Sequence, residues 1–195
     1  MTQRMALRSG LMVLALAMAG TSTASAQARN FSIDRARVTF TSRAQLETIN
    51  GLGNQGSGSF RVDPSNLSSV SGTVTIPVRS LRTGIEERDE HMVGPDWLNA
   101  GAHPNATFEI TGVSGARTMP ANEDVEIQVR GRFTINGQTH DVNARVRAKW
   151  DGADGLRLRA QFSIELDDYG VSIPSVVRAK VSNEIRIQVQ IRASA

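Results

Sequence analysis

The chain has 195 residues, 39% hydrophobic and 21% charged, a balance that folds as one domain rather than staying disordered. It has no cysteine, which excludes disulfide scaffolds, thiolate metal sites and a cysteine nucleophile, and its three histidines leave few nitrogen ligands for a metal. The formal charge is +3 and aromatic residues are 5%, too few for a base-stacking nucleic-acid platform to be the first expectation.

Residues 1–26 read as a secretory signal peptide. Arg4 and Arg8 form a positive n-region, Leu11 to Gly20 is an apolar stretch too short for a comfortable bilayer span, and Ala24-Ser25-Ala26 is a small-residue cleavage site. Its removal leaves 20 basic against 19 acidic residues, a formal charge of +1 on residues 27–195. The expected location is the periplasm, or outside the cell where there is no outer membrane.

Period-two alternation dominates residues 27–195 and predicts about eight strands, at 31–40, 56–62, 70–78, 106–113, 123–135, 139–150, 155–166 and 183–193. In the first, Phe31 and Ile33 share one parity and Val38 and Phe40 the other, so a bulge is expected near Asp34–Arg37. Glycines 51, 53, 56 and 58 and Asp63-Pro64 read as loops. Residues 85–101 lack alternation and fit short helices. Asn136-Gly137 is a type I′ hairpin signal, because both central residues need positive φ, and Asp151-Gly152 and Asp154-Gly155 bracket the next reversal.

An antiparallel meander with one apolar face per strand packs as a sandwich or a closed barrel. Strands of about ten residues favour an all-β, eight-stranded antiparallel barrel with short helical segments in the 85–101 region. The inward set is rich in Val, Ile and Ala and includes Gly131, which leaves room along the axis; a filled core fits the same residues. The candidate lining is Phe40, Val74, Ile76, Trp97, Leu98, Phe108, Ile110, Phe133, Val146, Phe162 and Ile164, each of which also fits ordinary barrel core.

Arg88, Asp89 and His91 form a polar cluster. One reading makes His91 a general base oriented by Asp89. No nucleophile is marked beside them, and Asp-x-His in a short segment more often ties down a loop, so the expected roles are loop structuring or contact with a ligand's polar head. His91 with His103 or His140 matches no standard metal spacing. Arg130, Arg132, Arg145, Arg147, Lys149, Arg157 and Arg159 lie on polar strand faces that hairpin pairing brings together, with Glu126 and Glu165 as partners.

A series of motifs is more specific. Ser80-Leu81-Arg82-Thr83-Gly84, Arg88-Asp89-Glu90-His91-Met92, Asp96-Trp97-Leu98-Asn99 and Pro104-Asn105-Ala106-Thr107-Phe108-Glu109 are followed by Gly131-Arg132-Phe133-Thr134-Ile135-Asn136-Gly137-Gln138-Thr139, Asp168-Tyr169-Gly170-Val171 and Val181-Ser182-Asn183-Glu184-Ile185. The order and spacing resemble the YceI-like family of exported lipocalin-like proteins across nearly all of residues 27–195. Two departures are local: Asp34-Arg35-Ala36-Arg37-Val38 stands where the family has a His-Ser pair, and Leu166-Asp167 where an Arg often precedes the D-F-G-I segment. The resemblance implies a periplasmic lipocalin-like barrel that holds a long apolar lipid: a polyisoprenoid, an isoprenoid quinone or a fatty amide. It implies no catalytic residue, metal or obligate cofactor beyond a bound lipid or quinone. The alternatives are a quinone-holding redox accessory of a membrane cytochrome b and an enzyme acting on a lipid. The expected partner is the apolar ligand, not nucleic acid; membrane-surface contact and homodimerisation stay open.

Overall fold

A computed structural model describes residues 27–195; the expected signal peptide lies outside the described residues. Nine strands form one antiparallel sheet that closes on itself: β1 (Arg29–Arg43), β2 (Thr48–Gly53), β3 (Ser57–Val62), β4 (Ser71–Pro77), β5 (Asn105–Gly115), β6 (Asp124–Ile135), β7 (Gln138–Trp150), β8 (Gly155–Glu165) and β9 (Glu184–Ser194). β1 pairs along one edge with β9, which closes the barrel. Along its other edge it pairs with β2 through Val38–Arg43 and with β3 through Arg29–Ser32. Both pairings lie on that one edge, so β2 and β3 are two halves of a single wall position and the barrel is eight-stranded. Closure pairs the two ends of the sheet and leaves only short stretches of unpaired edge, on β2 and where β7 and β8 part.

The alternating residues give the wall its two faces. β6 alternates strictly between exposed Glu126, Gln128 and Arg130 and buried Ile127, Val129 and Gly131. Asn136 and Gly137 turn this strand into β7 with φ of 50° and 74°, the type I′ geometry that the Asn-Gly pair specifies. The expected bulge in β1 falls between Ile33 and Arg35, where the register against β9 slips by one residue and restores the inward parity of Ala36 and Val38.

One expectation is corrected. Glycines 51, 53 and 58 lie in strands, not loops, and β2 is an additional element. Its inward positions are Ile49, Gly51 and Gly53, so the alternation is present but written in glycine. The reason is a close approach: Phe40, paired with Gly51, lays its ring where a Cβ would sit, 2.0 Å from the Phe40 Cζ position. Phe108 does the same over Gly131, with Cζ 2.4 Å from the missing Cβ. Each glycine makes room for the outer end of a phenylalanine ring on the neighbouring strand.

The ends are closed differently. At the base, where the chain from β3 to β4 meets the one from β5 to β6, Leu67 N–H donates to the Arg117 carbonyl and Met119 N–H to the Pro64 carbonyl, both at 2.8 Å. Phe31, Leu67, Met119 and Leu156 are buried beneath this stitching. At the other end lie the β1–β2 hairpin, the segment 78–104 with its helix α1 (Glu86–Val93), and the long β8–β9 connection.

Candidate functional site

The barrel interior is hollow. A cavity of about 620 Å³ runs along the axis, its wall supplied by every strand and by the segments at both ends. That volume lies within the ~300–1,000 Å³ of small-molecule sites. The openness is legible in exposure. Val74, Phe108, Ile110, Leu158, Ala160 and Val189 face inward by parity, yet none is fully buried, because their remaining surface looks into the lumen. A side chain with no atoms opposite forfeits dispersion contact on that side, so the wall gains whenever an apolar occupant enters.

All eleven sequence-predicted lining residues stand in the wall of this one cavity. Phe40, Val74, Ile76, Phe108, Ile110, Phe133, Val146, Phe162 and Ile164 come from strands, and Trp97 and Leu98 from the turn after α1. Phe162 packs between Phe108 and Phe133 with ring centroids 5.7 and 5.4 Å away, and Tyr169 continues the cluster 5.6 Å from Phe133. This aromatic cluster forms one flank of the lumen near the open end. Tyr169 itself plugs the place where β7 and β8 part: their pairing stops at Arg145 and Gln161, and the Tyr169 ring lies against His140, centroids 5.0 Å apart. Its hydroxyl is buried with no hydrogen-bond partner, and burial, reinforced by the Asp168 charge, pushes its pKa up to about 12.

The polar cluster sits at the mouth and its members part company. Arg88 and His91 line the cavity opening, whereas Asp89 turns away from it. Asp89 Oδ1 accepts from the Thr83 backbone N–H and from the Thr83 hydroxyl, each at 2.6 Å. Burial alone would raise this carboxyl's pKa; the bonds from Thr83 and Gly84 and the nearby Arg82 charge outweigh it and hold the value below the ordinary one. The network runs on: Arg88 Nε donates to Thr83 Oγ1 at 2.9 Å, and Arg88 Nη1 pairs with Glu47 at 2.6 Å. It therefore ties α1 to the β1–β2 hairpin across the opening. Asp89 positions a loop, and its bonds go to Thr83 rather than to His91, so the acid–base dyad that the sequence allows is not assembled.

Sequence reasoning missed the other side of the mouth. Pro174, Val176, Val177, Lys180 and Val181, from the β8–β9 connection, line the opening. They carry no alternation, and nothing in their spacing marks them. Leu46 N–H donates to the Ala179 carbonyl at 2.9 Å, which joins this segment to the β1–β2 hairpin. Leu46, Ile85 and Val176 are 75%, 52% and 87% exposed, three apolar tips around the opening. Among the described residues no group of three or more His, Asp or Glu side chains is placed to hold a metal ion. The outer cations have partial neutralisation only: Arg132 pairs with Glu109 and Arg147 with Glu126, while Glu165 accepts from Asn183 instead.

A closed eight-stranded antiparallel barrel around an apolar bore defines a lipocalin-like barrel. Its family is shown by sequence: the YceI-like domain model matches residues 30–193, and the chain belongs to that family. A UPF0312 protein of Pseudomonas paraeruginosa is 32% identical over 177 residues, covering 86% of this chain and 89% of that protein. Among solved structures, BcnA of Burkholderia cenocepacia superposes with a TM-score of 0.69 at 23% identity, covering 80% of this chain and 95% of that one. A domain from Saccharophagus degradans, described as polyisoprenoid-binding and implicated in plant cell wall breakdown, gives a TM-score of 0.67 at 15% identity, with 85% and 98% covered.

Proposed function

We propose that this protein is an exported, periplasmic binding protein that holds one long apolar lipid in its lumen and carries or stores it without chemical change. The observation that carries this reading is the cavity itself: about 620 Å³, apolar from the Leu67 and Met119 base to the mouth, and opening beside Arg88. A polyisoprenoid, an isoprenoid quinone or a fatty amide exposes a long apolar surface in water, and burying it gains roughly 25 cal/mol per Å² before the cost of association. The bore takes the chain, while the Glu47–Arg88–Thr83 network and Lys180 leave polar atoms for a head group at the rim. The likeness to the Saccharophagus degradans domain described as polyisoprenoid-binding supports the ligand class. The commitment of Asp89 to Thr83 supports a binding role over an enzymatic one.

Native mass spectrometry of the protein purified from its own host, with organic extraction of the same sample, tests the reading. One co-purifying apolar molecule per chain is expected, and an isoprenoid quinone would be told from a polyisoprenoid by its ultraviolet absorbance. Protein that emerges empty and also refuses added prenyl lipids would overturn it.

A further inference from the structure

The outside of the barrel carries a grid of cations that the lumen does not use. Strand register sets Lys149 opposite Arg157, Arg157 opposite Arg192 and Arg192 opposite Arg35, an unbroken row across β7, β8, β9 and β1. Two residues along each strand the pattern repeats, with Arg147 opposite Arg159, Arg159 opposite Gln190 and Gln190 opposite Arg37. Arg145 extends the grid on β7, and all of these side chains except the half-buried Lys149 are exposed. Residues directly opposite on one face have Cβ atoms ~4.5–5.5 Å apart, where like charges destabilise the sheet.

The surrounding acids offset the grid only in part. Glu126 holds Arg147 and feels Arg145, Asp124 stands opposite Lys149 on β6 and acts on Arg147, and Arg157 helps to lower the pKa of Asp151. Asp34, in the β1 bulge, accepts from the Ser194 hydroxyl; Asp151 accepts from the Ala153 and Gly155 N–H groups; and Asp154 pairs with Arg29. Nearer the mouth the same outer face changes character, to Ser163, Glu165 and Glu184 with Arg186 beside them. Eight of the 20 basic residues of 27–195 therefore lie together toward the base end of one side of the barrel.

We propose that this face is a docking surface for a bilayer bearing anionic phosphate headgroups. Strand spacing of ~4.7–4.9 Å makes the row about 14 Å long, too broad for a single small anion; it curves with the barrel wall, so Arg157 and Arg192 at its centre meet a planar surface first and Lys149 and Arg35 flank the contact. Arginine, which supplies all but one of these cations, offers a planar fork that matches phosphate oxygens. No aromatic side chain interleaves the grid, so stacking on unpaired bases is not offered. The choice of a bilayer over another polyanion rests on the lipid-carrier reading, because a carrier must meet the surface where its cargo resides.

Cosedimentation of the protein, residues 27–195, with phosphatidylcholine vesicles, plain or containing phosphatidylglycerol, tests the proposal. Association only with the anionic vesicles is expected, with release as ionic strength rises. The double variant R157Q/R192Q should partition at least roughly tenfold more weakly, since each cation near an anionic surface contributes about fivefold. The control R132Q removes a β6 cation already paired with Glu109 and should bind like the wild type. The double variant should melt no lower than the wild type, because it relieves like-charge repulsion, and that separates lost docking from lost folding. Four results would overturn the proposal: no association with anionic vesicles, undiminished association of the double variant, equal binding to plain phosphatidylcholine, or displacement by a DNA duplex at equal phosphate concentration. If docking holds while the lumen is empty and refuses prenyl lipids, the carrier reading fails and the docking surface stands.

Discussion

At the base of the barrel Phe31, Leu67 and Leu156 are 0%, 1% and 2% exposed, and backbone hydrogen bonds stitch two connections over them. At the mouth Leu46, Ile85 and Val176 stand out in solvent; side chains tie Glu47 to Arg88, Arg88 to Thr83 and Thr83 to Asp89, and the Leu46 N–H bond to the Ala179 carbonyl holds the β8–β9 connection. Both ends bury apolar side chains, Val78 and Val171 among them at the mouth, but only the mouth adds exposed apolar tips and a partly exposed ion pair across its opening. Packing resists opening because each displaced side chain exposes apolar area, whereas a partly exposed ion pair is worth at most about 1 kcal/mol. The comparison assigns passage of a ligand to the mouth and rigidity to the base.

The largest effect should come from filling the bore between the two ends. Ala160 faces the lumen from β8, and A160W places an indole across the axis. Retention of an apolar lipid should fall by at least roughly a hundredfold, about 2.8 kcal/mol at ~1.4 kcal/mol per decade, while circular dichroism keeps its β signature. Undiminished retention would mean that the lipid sits elsewhere.

Next come substitutions that set base against mouth. L67A removes a side chain that is 1% exposed and should cost ~2–5 kcal/mol in chemical denaturation, whereas V176S, at an 87% exposed position, should stay within ~0.5 kcal/mol. Equal losses would erase the distinction between the ends. D89A should cost about 1–3 kcal/mol by leaving Thr83 without its acceptor, and should speed ligand release by loosening α1. The sign with pH follows from the lowered pKa: the stabilisation by Asp89 is present above the unfolded carboxylate value and is lost as pH falls through the folded one. Stability of the wild type should therefore decline below about pH 4 more steeply than that of D89A.

A gain rather than a loss, smaller than the cost of L67A, is expected at Tyr169. Its hydroxyl is buried without a partner, so Y169F should raise stability by ~1 kcal/mol, or about 2–4 °C in Tm. Tyr169 is the chain's single tyrosine, so its ionisation can be followed by ultraviolet absorbance without interference. A midpoint near 12 is expected in the folded protein. Because the folded pKa is raised, the tyrosine's contribution is intact below about pH 10 and is lost as pH climbs toward 12.

Much of this was legible in the sequence because a strand's period is two. Ile127 and Val129, or Phe162 and Ile164, declare their side without any knowledge of the neighbour, and the Asn136-Gly137 turn declares the pairing of β6 with β7. β2 was not legible, because two of its three inward positions are glycines whose reason lies on other segments: Gly51 makes room for Phe40 and Gly53 for Leu81. Parity also tells which way a side chain points but not how far away the opposite wall stands, so the lumen became visible only when the barrel closed. The mouth segment 174–181 had no periodicity to read; its role comes from where β8 and β9 deliver it. The motif around Arg88, Asp89 and His91 marked the right end of the molecule, but only hydrogen bonds separated the loop-holding Asp89 from its two neighbours at the rim.

A crystallographic electron-density map of the lumen, from protein purified out of its own host without added lipid, tests the central claim most directly. The expected map shows one elongated feature running from beside Met119 and Leu67 past Ile127 and Phe162 to the opening at Arg88, bounded by the inward side chains of the barrel wall. A map in which those side chains meet across the axis and leave no channel would contradict it.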